Sequence, residues 1–388
     1  MARSEDPVPM TRPNRRSTAA AAIPRATVVT PRQLVWRKFR RHRLAMLGAV
    51  LTALLYLTAL LAPFIAPYGP NEYQSRYTYA PPQRVHWLRT NDEGRTVFGP
   101  YVQGLAVTID YDSGRRIFAP DPETIVPITL LPQGTPYTLL GIFELDRHLF
   151  GPTDRDQPMF LTGADRLGRD MFSRTLIGAQ VSLSIGLVGV AMSLLLGLVF
   201  GGLSGYYGGA VDTLIQRIIE FLQSIPSIPL WIGLAAALPK DVDPVLIYFY
   251  ITLILSIIGW TGLARVVRGR FLSLKNEDFV RAARLDGAGP WRVLFRHMVP
   301  SFMSHIIAAV TLAIPAMILA ETSLSFLGLG LRQPVVSWGV LLQEAQNIRS
   351  IATAPWLFLP GLAVVITVLS MNFLGDGLRD AADPFSSN

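Results

Sequence analysis

The densest run of interaction chemistry in the sequence lies between Asn276 and Pro300. It reads as two short helices joined by a tight turn. Asn276 is placed to cap the first helix, with Glu277 and Asp278 in the turn where the helix dipole favours negative charge. Ala282 and Ala283 are small and let another surface approach closely. Gly287 is suited to end that helix in a left-handed conformation, and Pro290 to open the next one. Trp291 and Arg292 belong to residue types enriched at binding hot spots. Arg284, Asp286 and Ala288 complete the candidate contact set. This is the chemistry of docking rather than of bond making: a rigid, small-surfaced, basic-rimmed elbow.

Bond-making candidates fail in turn. A phosphate-cradling Gly-x4-Gly-Lys-Ser/Thr loop is missing; the lysines are Lys38, Lys240 and Lys275, and none follows a glycine. With no cysteine in the chain, there is no disulfide, thiolate ligand or Cys nucleophile. His42, His86, His148, His297 and His305 include no closely spaced ligand pair, and Ser325 lacks a Gly-x-Ser-x-Gly elbow. No catalytic residue, metal site or cofactor is expected.

The elements around the elbow are set by hydropathy. Of 388 residues, 50% are hydrophobic and 16% charged, below the roughly 25% charge of soluble domains. Six apolar runs approach the roughly 20 residues that cross a bilayer as a helix: Leu44–Ala66, Val181–Leu203, Leu214–Leu238, Val245–Val267, Phe302–Leu324 and Trp356–Leu374. The net charge of +8 concentrates in the N-terminal arginines and in Arg265–Arg296, the asymmetry of the positive-inside rule, which argues against a nucleic-acid partner. The expected fold is an all-α membrane protein with six transmembrane helices and both termini cytoplasmic. Residues 1–43 read as a tail and a basic anchor (Trp36 to Arg43), 44–67 as the first span, 68–163 as a β-rich extracytoplasmic insertion, and 164–388 as a five-helix core carrying the loop at 277–300. Within the third run, Arg217 and Glu220 share a helical face, and Pro226 and Pro229 interrupt the helix. Ion pairing at the interface is one reading of the charges; a gate or path contact is the other. Glu321, near the outer end of the fifth run, divides between a cap or ion pair and a substrate or gate contact.

The elbow resembles the EAA loop of ABC importer permeases: Ala282 and Ala283, then Gly287, then Pro300 keep its spacing, while Arg281 stands where the glutamate often sits. Ala-Ala-Arg-x-x-Gly-Ala with Arg-His-x-x-Pro resembles the dipeptide, oligopeptide and nickel importer subfamily. So do Gly163–Arg174, Leu324–Gly330 with Ser337-Trp338-Gly339, and Asn372–Asp380 with Asp383-Pro384; together they point to its C-type permease. The resemblance implies a subunit in a bacterial plasma (inner) membrane that pairs with a second homologous permease. It also implies two cytoplasmic ABC ATPase subunits that hydrolyse the ATP, an extracytoplasmic solute-binding protein, and peptide as the substrate, with nickel or another small solute as the alternative. Two other classes compete: a secondary transporter or channel using Glu220, Glu321 and Asp376 as ion sites, and a membrane sensor built on the insertion, for which the resemblance offers no role.

Overall fold

A computed structural model describes residues 31–90, 96–111, 116–239 and 243–382. The tail expected at 1–30 and the end of the C-terminal signature, Asp383-Pro384, lie outside the described residues. The described residues are mainly helical, and among them five helices are long and apolar enough to cross a membrane, or six if one bent pair counts as a single span.

A short helix α1 (Pro31–Arg41) carries the basic anchor, where Trp36 stacks on Phe39 at 5.9 Å and Arg40 lies over Trp36. His42 then caps the first span, α2 (Arg43–Leu60), its Nδ1 accepting from the Ala45 amide at 3.0 Å. Leu44, Leu47, Val50, Leu54, Leu57 and Leu60 recur at three- and four-residue spacing and are all about half exposed. This is one continuous apolar stripe, the face a bilayer would cover. The opposite side packs on the last span, α10 (Leu359–Ala382), so closely that a Cβ at Gly48 would meet the Ser370 carbonyl at 2.5 Å.

Between α2 and the next span the described residues form six strands, β1 (Val85–Thr90), β2 (Thr96–Ile109), β3 (Arg116–Leu130), β4 (Gln133–Leu139), β5 (Phe143–Arg147) and β6 (Phe150–Pro152). They form a four-stranded antiparallel sheet in the order β1-β2-β3-β6 and a separate β4-β5 hairpin. Val102, Val126 and Met159 pack under the sheet.

The second span, α3 (Met171–Tyr207), begins ten residues before the expected Val181. Its start is set by Asp170, whose Oδ2 accepts from the Ser173 amide at 2.8 Å; Arg174, which interrupts the apolar run, is folded inward. Helix α3 runs along α6 (Pro244–Leu274) in the most extensive helix pairing of the fold. The seam is a Gly197-x3-Gly201-x3-Gly205 stripe. A Cβ would approach the Leu263 side chain at 2.8 Å, the Ala264 carbonyl at 2.4 Å and the Phe271 side chain at 2.6 Å, respectively. Small residues at four-residue spacing let two backbones touch where lipid provides no hydrophobic drive.

The third apolar run does not form one straight helix. It breaks into α4 (Gly209–Ser224) and α5 (Ser227–Ala236), bent by 86°. Pro226 has no amide hydrogen to give and its ring excludes helical geometry upstream; accordingly Ile225 is extended, at φ −89° and ψ 126°. Helix α8 (Met303–Phe326) and the short α9 (Trp338–Gln343) complete the core against α3 and α10.

Candidate functional site

The elbow is built from α7 (Asp278–Leu285), a reverse turn, and a helical stretch from Pro290 onward. The N-cap is Glu277 rather than Asn276, and no side chain bonds the cap; the Glu277 carbonyl instead takes the Val280 and Arg281 amides at 3.0 and 3.1 Å. The C-terminus closes as a full Schellman motif. Gly287 sits at φ +76°, its amide donates to the Arg284 carbonyl, and the Ala288 amide donates to the Ala283 carbonyl, both at 3.0 Å. Pro290 opens the next turn at its first position. That stretch then widens into a π turn over Val293–Met298, where the Val299 amide reaches back to the Leu294 carbonyl.

Two faces follow from the helical period. Val280 and Ala283 point inward and join Val293, Leu294 and Met298 on a cluster with Val267 and Phe271 of α6. Ala283, expected at the contact surface beside Ala282, is thus buried in the elbow's own core; neighbours about 100° apart cannot both face a partner. Ala282, Leu285, Asp286, Trp291 and Arg292 remain on the outside. Leu285 is 88% exposed, and Trp291 stacks on Phe295 at 5.7 Å. Arg284 leans back over the Tyr206 ring at 4.7 Å, at the end of α3, and so braces the elbow. Ala288 is half-buried beside the same cluster.

One pair that the linear sequence does not reveal links this region to the broken helix. Arg268, near the elbow end of α6, donates to both oxygens of Asp212 on α4, Nε to Oδ1 and a terminal nitrogen to Oδ2, each at 2.5 Å. Ser204 of α3 donates to the same Oδ1. Asp212 lies in the first turn of α4, where the dipole favours a carboxylate. Further along, Gln223 of α4 donates to Thr261 of α6 at 3.0 Å, just before the Pro226 break. Arg217 and Glu220 form an ion pair at 2.8 Å on the exposed side of α4.

Glu321 is fully buried in α8. Ser325 and Ser337 each donate to its Oε1 at 2.8 Å, and Ser182 to its Oε2 at 3.3 Å. It joins α3, α8 and the start of α9. Two of those serines belong to the Leu324–Gly339 motif, whose Gly339 permits an approach in which a Cβ would meet the Thr322 carbonyl at 2.8 Å.

The Gly163–Arg174 motif folds as a second knot. Asp165, fully buried, accepts from Arg169 Nε at 2.6 Å, from Arg174, and from the amides of Leu167 and Arg169. Gly168 at φ +77° has no room for a Cβ, which would fall 2.0 Å from the Gln74 carbonyl. Trp356 donates to the Ala164 carbonyl at 2.8 Å, and Glu344 accepts from the Arg166 amide at 2.8 Å. Burial pushes the Asp170 carboxyl up to about 6, and burial followed by the nearby Asp165 charge raises Glu344. Among the described residues no cluster of His, Asp or Glu is arranged to hold a metal ion.

A family model described as the binding-protein-dependent transport system inner membrane component matches residues 193–387, which include the elbow. A second, the N-terminal TM domain of oligopeptide transport permease C, matches residues 30–82. The glutathione transport system permease protein GsiD of Escherichia coli O6:H1 is 34% identical over 373 residues, covering 95% of this chain and 97% of that one. The oligopeptide transport system permease protein OppC of Bacillus subtilis is 41% identical over 223 residues, 57% of this chain and 70% of the relative. The dipeptide transport system permease protein DppC of the same organism is 29% identical over 354 residues, 91% of this chain and 85% of the relative. Among solved structures, the MetNI methionine ABC transporter in an inward facing form aligns at 19% identity with a TM-score of 0.44, covering 54% of this chain and 97% of that one.

Proposed function

Since the chain belongs to the family of binding-protein-dependent transport system inner membrane components, we propose that it is a permease subunit of an ATP-driven importer of peptides. It forms half of the path and takes the work of a cytoplasmic ATPase at residues 277–300. Relatives named for oligopeptides, dipeptides and glutathione support the substrate class. Its partners are a second homologous permease, two ABC ATPase subunits and an extracytoplasmic solute-binding protein, in a bacterial inner membrane. Both termini and the elbow lie on the cytoplasmic side, and the β-strand segment lies outside; the arginines at the N-terminus and around the elbow support that orientation.

The observation that carries the reading is the two-faced elbow. Its inner face is packed into the ends of α3 and α6, and its outer face presents Ala282, Leu285, Asp286, Trp291 and Arg292. Pressure on the outer face moves α7, whose Val280 and Ala283 bear on Val267 and Phe271 of α6. Arg284 passes the load to α3 through Tyr206. The glycine seam makes α3 and α6 one body. Arg268 then draws Asp212, and with it α4, toward that motion, and the hinge at Ile225-Pro226 re-aims α5. Exposed Arg217 and Glu220 on α4 and the break at Pro226 supply the candidate path and gate elements. Glu321, sealed among serines, serves as a tie between spans.

Of the three carboxylates that an ion-coupled transporter would use, Glu321 is sealed and Glu220 is already paired with Arg217, which leaves only Asp376 open, near the C-terminal end of α10. The test uses the cysteine-free background. Ala282→Cys should cross-link through a short bismaleimide to a co-expressed cytoplasmic ATPase subunit. Ile218→Cys, on the exposed side of α4, should not. Normal peptide uptake with no cross-link from position 282 would refute the docking assignment.

A further inference from the structure

The β4-β5 hairpin is two-faced. Cross-strand pairs Tyr137 with Leu145 and Leu139 with Phe143 share one face, apolar toward the tip and carrying Arg147, opposite Gln133, at its root; Thr138 with Glu144 share the other. The turn between the strands is wholly apolar apart from its glycine: Leu140, Gly141 and Ile142. Its central residues Leu140 and Gly141 have φ +56° and +71°, and the Ile142 amide closes on the Leu139 carbonyl at 3.1 Å. Asn, Asp and Gly are the residues that such a turn favours, because a bulky L side chain is strained there. Leucine at 140 therefore works against the turn, and it is left half exposed beside Ile142 at 75% and Phe143 at 57%. An apolar residue kept where it strains the backbone, with half of its surface still uncovered, points to contact outside the chain.

The position of the hairpin names that contact. Its root is fastened to the short helical turn Ala62–Ile65 just beyond the far end of α2, where the Leu149 amide donates to the Phe64 carbonyl at 2.7 Å and a His148 ring nitrogen lies 3.1 Å from the Pro63 carbonyl. Tyr137, on the apolar face, packs its ring 5.0 Å from that of His148. The apolar face is thus turned toward the end of the span, and the acidic face away from it. The half-exposed leucine stripe of α2 runs to Leu60, next to this root. Strands of 5 to 7 residues at about 3.3 Å each keep the tip within roughly 25 Å of the span's end.

We propose that the β4-β5 hairpin lies on the bilayer that α2 crosses, with Leu140, Ile142 and Phe143 inserted among the lipid headgroups and upper acyl chains. Uncharged apolar side chains on an amphipathic element are what the interface takes up, and an aromatic such as Tyr137 suits headgroup depth. The hairpin then acts as an outrigger that sets the tilt of α2 and holds the attached sheet at a constant height above the membrane. The proposal rests on α2 being a true span.

Single cysteines in the full-length chain test it, since the sequence has none. Ile142→Cys, Thr138→Cys on the polar face and Leu54→Cys in the leucine stripe are each labelled with an environment-sensitive fluorophore. The labelled chains are placed in phosphatidylcholine nanodiscs with and without spin-labelled lipid, the label at headgroup depth for 138 and 142 and near the chain ends for 54. The expected result is blue-shifted emission and lipid quenching at 142 and 54, with aqueous iodide quenching at 138. Adding Leu140→Asn, which suits the turn better, should reduce lipid quenching at 142 while leaving the hairpin folded. Quenching at 54 but not at 142 overturns the proposal. So does a probe at 142 shielded from both lipid and iodide, which would mark a protein partner. Absence of lipid quenching at both 54 and 142 refutes the span and the proposal with it.

Discussion

Replacing Gly287 tests whether the elbow works through its backbone or through the space it leaves. A Cβ at this position meets nothing within 4 Å, so no clash inside the chain contributes. The φ of +76° costs an L side chain about 1–2 kcal/mol. Escaping that strain abandons the Gly287–Arg284 and Ala288–Ala283 hydrogen bonds, each worth roughly 0.5–1.5 kcal/mol. The two routes cost about the same, so Gly287→Ala should weaken the closed elbow by about 1–2 kcal/mol, a roughly 5–30-fold shift in its local opening. Asparagine tolerates the left-handed region better, and valine tolerates it worse. Backbone control therefore ranks the variants Gly, Asn, Ala, Val. Steric control by a docked partner ranks them Gly, Ala, Asn, Val. Hydrogen exchange of residues 278–292 in nanodiscs reads the first property, and ATP-dependent uptake of a labelled peptide reads the consequence. Alanine outperforming asparagine in both assays, or matching glycine, would refute the backbone argument.

Four further outcomes follow from the same structure. Ala282→Trp should leave thermal stability within about 0.5 kcal/mol yet lower uptake, whereas Ala283→Leu should overpack the elbow core and cost about 1–3 kcal/mol; equal effects would contradict the two-faced geometry. Asp212→Asn should lower uptake while preserving the Ala282→Cys cross-link, and the double exchange Asp212→Arg with Arg268→Asp should restore part of the transport; no recovery would remove the pair from the relay. Glu321→Gln still accepts hydroxyls and should transport normally, while Glu321→Ala strands buried serines at a cost of at least about 3 kcal/mol; a well-folded but inactive Gln variant would revive an ion-linked role. Asp170 and Glu344 titrate above their unfolded values. The folded state therefore holds their protons more tightly, and the stability they contribute is complete below the unfolded pKa and lost as pH rises through about 6 for Asp170. Protection of residues 163–175 should accordingly increase on going from pH 7.5 to 5, by about 1.4 kcal/mol from Asp170 alone; a decrease, or an unchanged response in Asp170→Asn, would refute that assignment.

Local rules reached some of these features and not others. Gly287 at the helix end and Pro290 at the next start were legible because both follow from the backbone of a single residue. The apolar runs were legible because their length far exceeds their uncertainty. The split of Ala282 from Ala283 needed only the helical period, but which of the two turns inward depended on where Val267 and Phe271 would lie. The start of α3 was misplaced by Arg174, whose charge ends a hydropathy window although Asp165 neutralises it in three dimensions. Pro226 and Pro229 marked an interruption, while the 86° bend depends on what α4 packs against. Asp212 and Arg268, separated by 56 residues, carried no joint signal at all. The Gly163–Arg174 motif was recognisable as a pattern, and only the structure turns it into a carboxylate hub with Gly168 pressed on Gln74.

The glycine seam between α3 and α6 has a mechanical consequence. With backbone against backbone at three successive turns, the pair has no compliant layer of long side chains to compress, and close-packed interiors are nearly incompressible. Helix α3, with 37 residues, is about 55 Å long, so the two helices form a stiff rod longer than the bilayer core is thick. Such a rod stores little of the energy fed into it. The stroke at its far end is set by its length and pivot rather than by elasticity. Changes in lipid thickness or temperature should therefore alter how often the rod moves and leave unchanged how far.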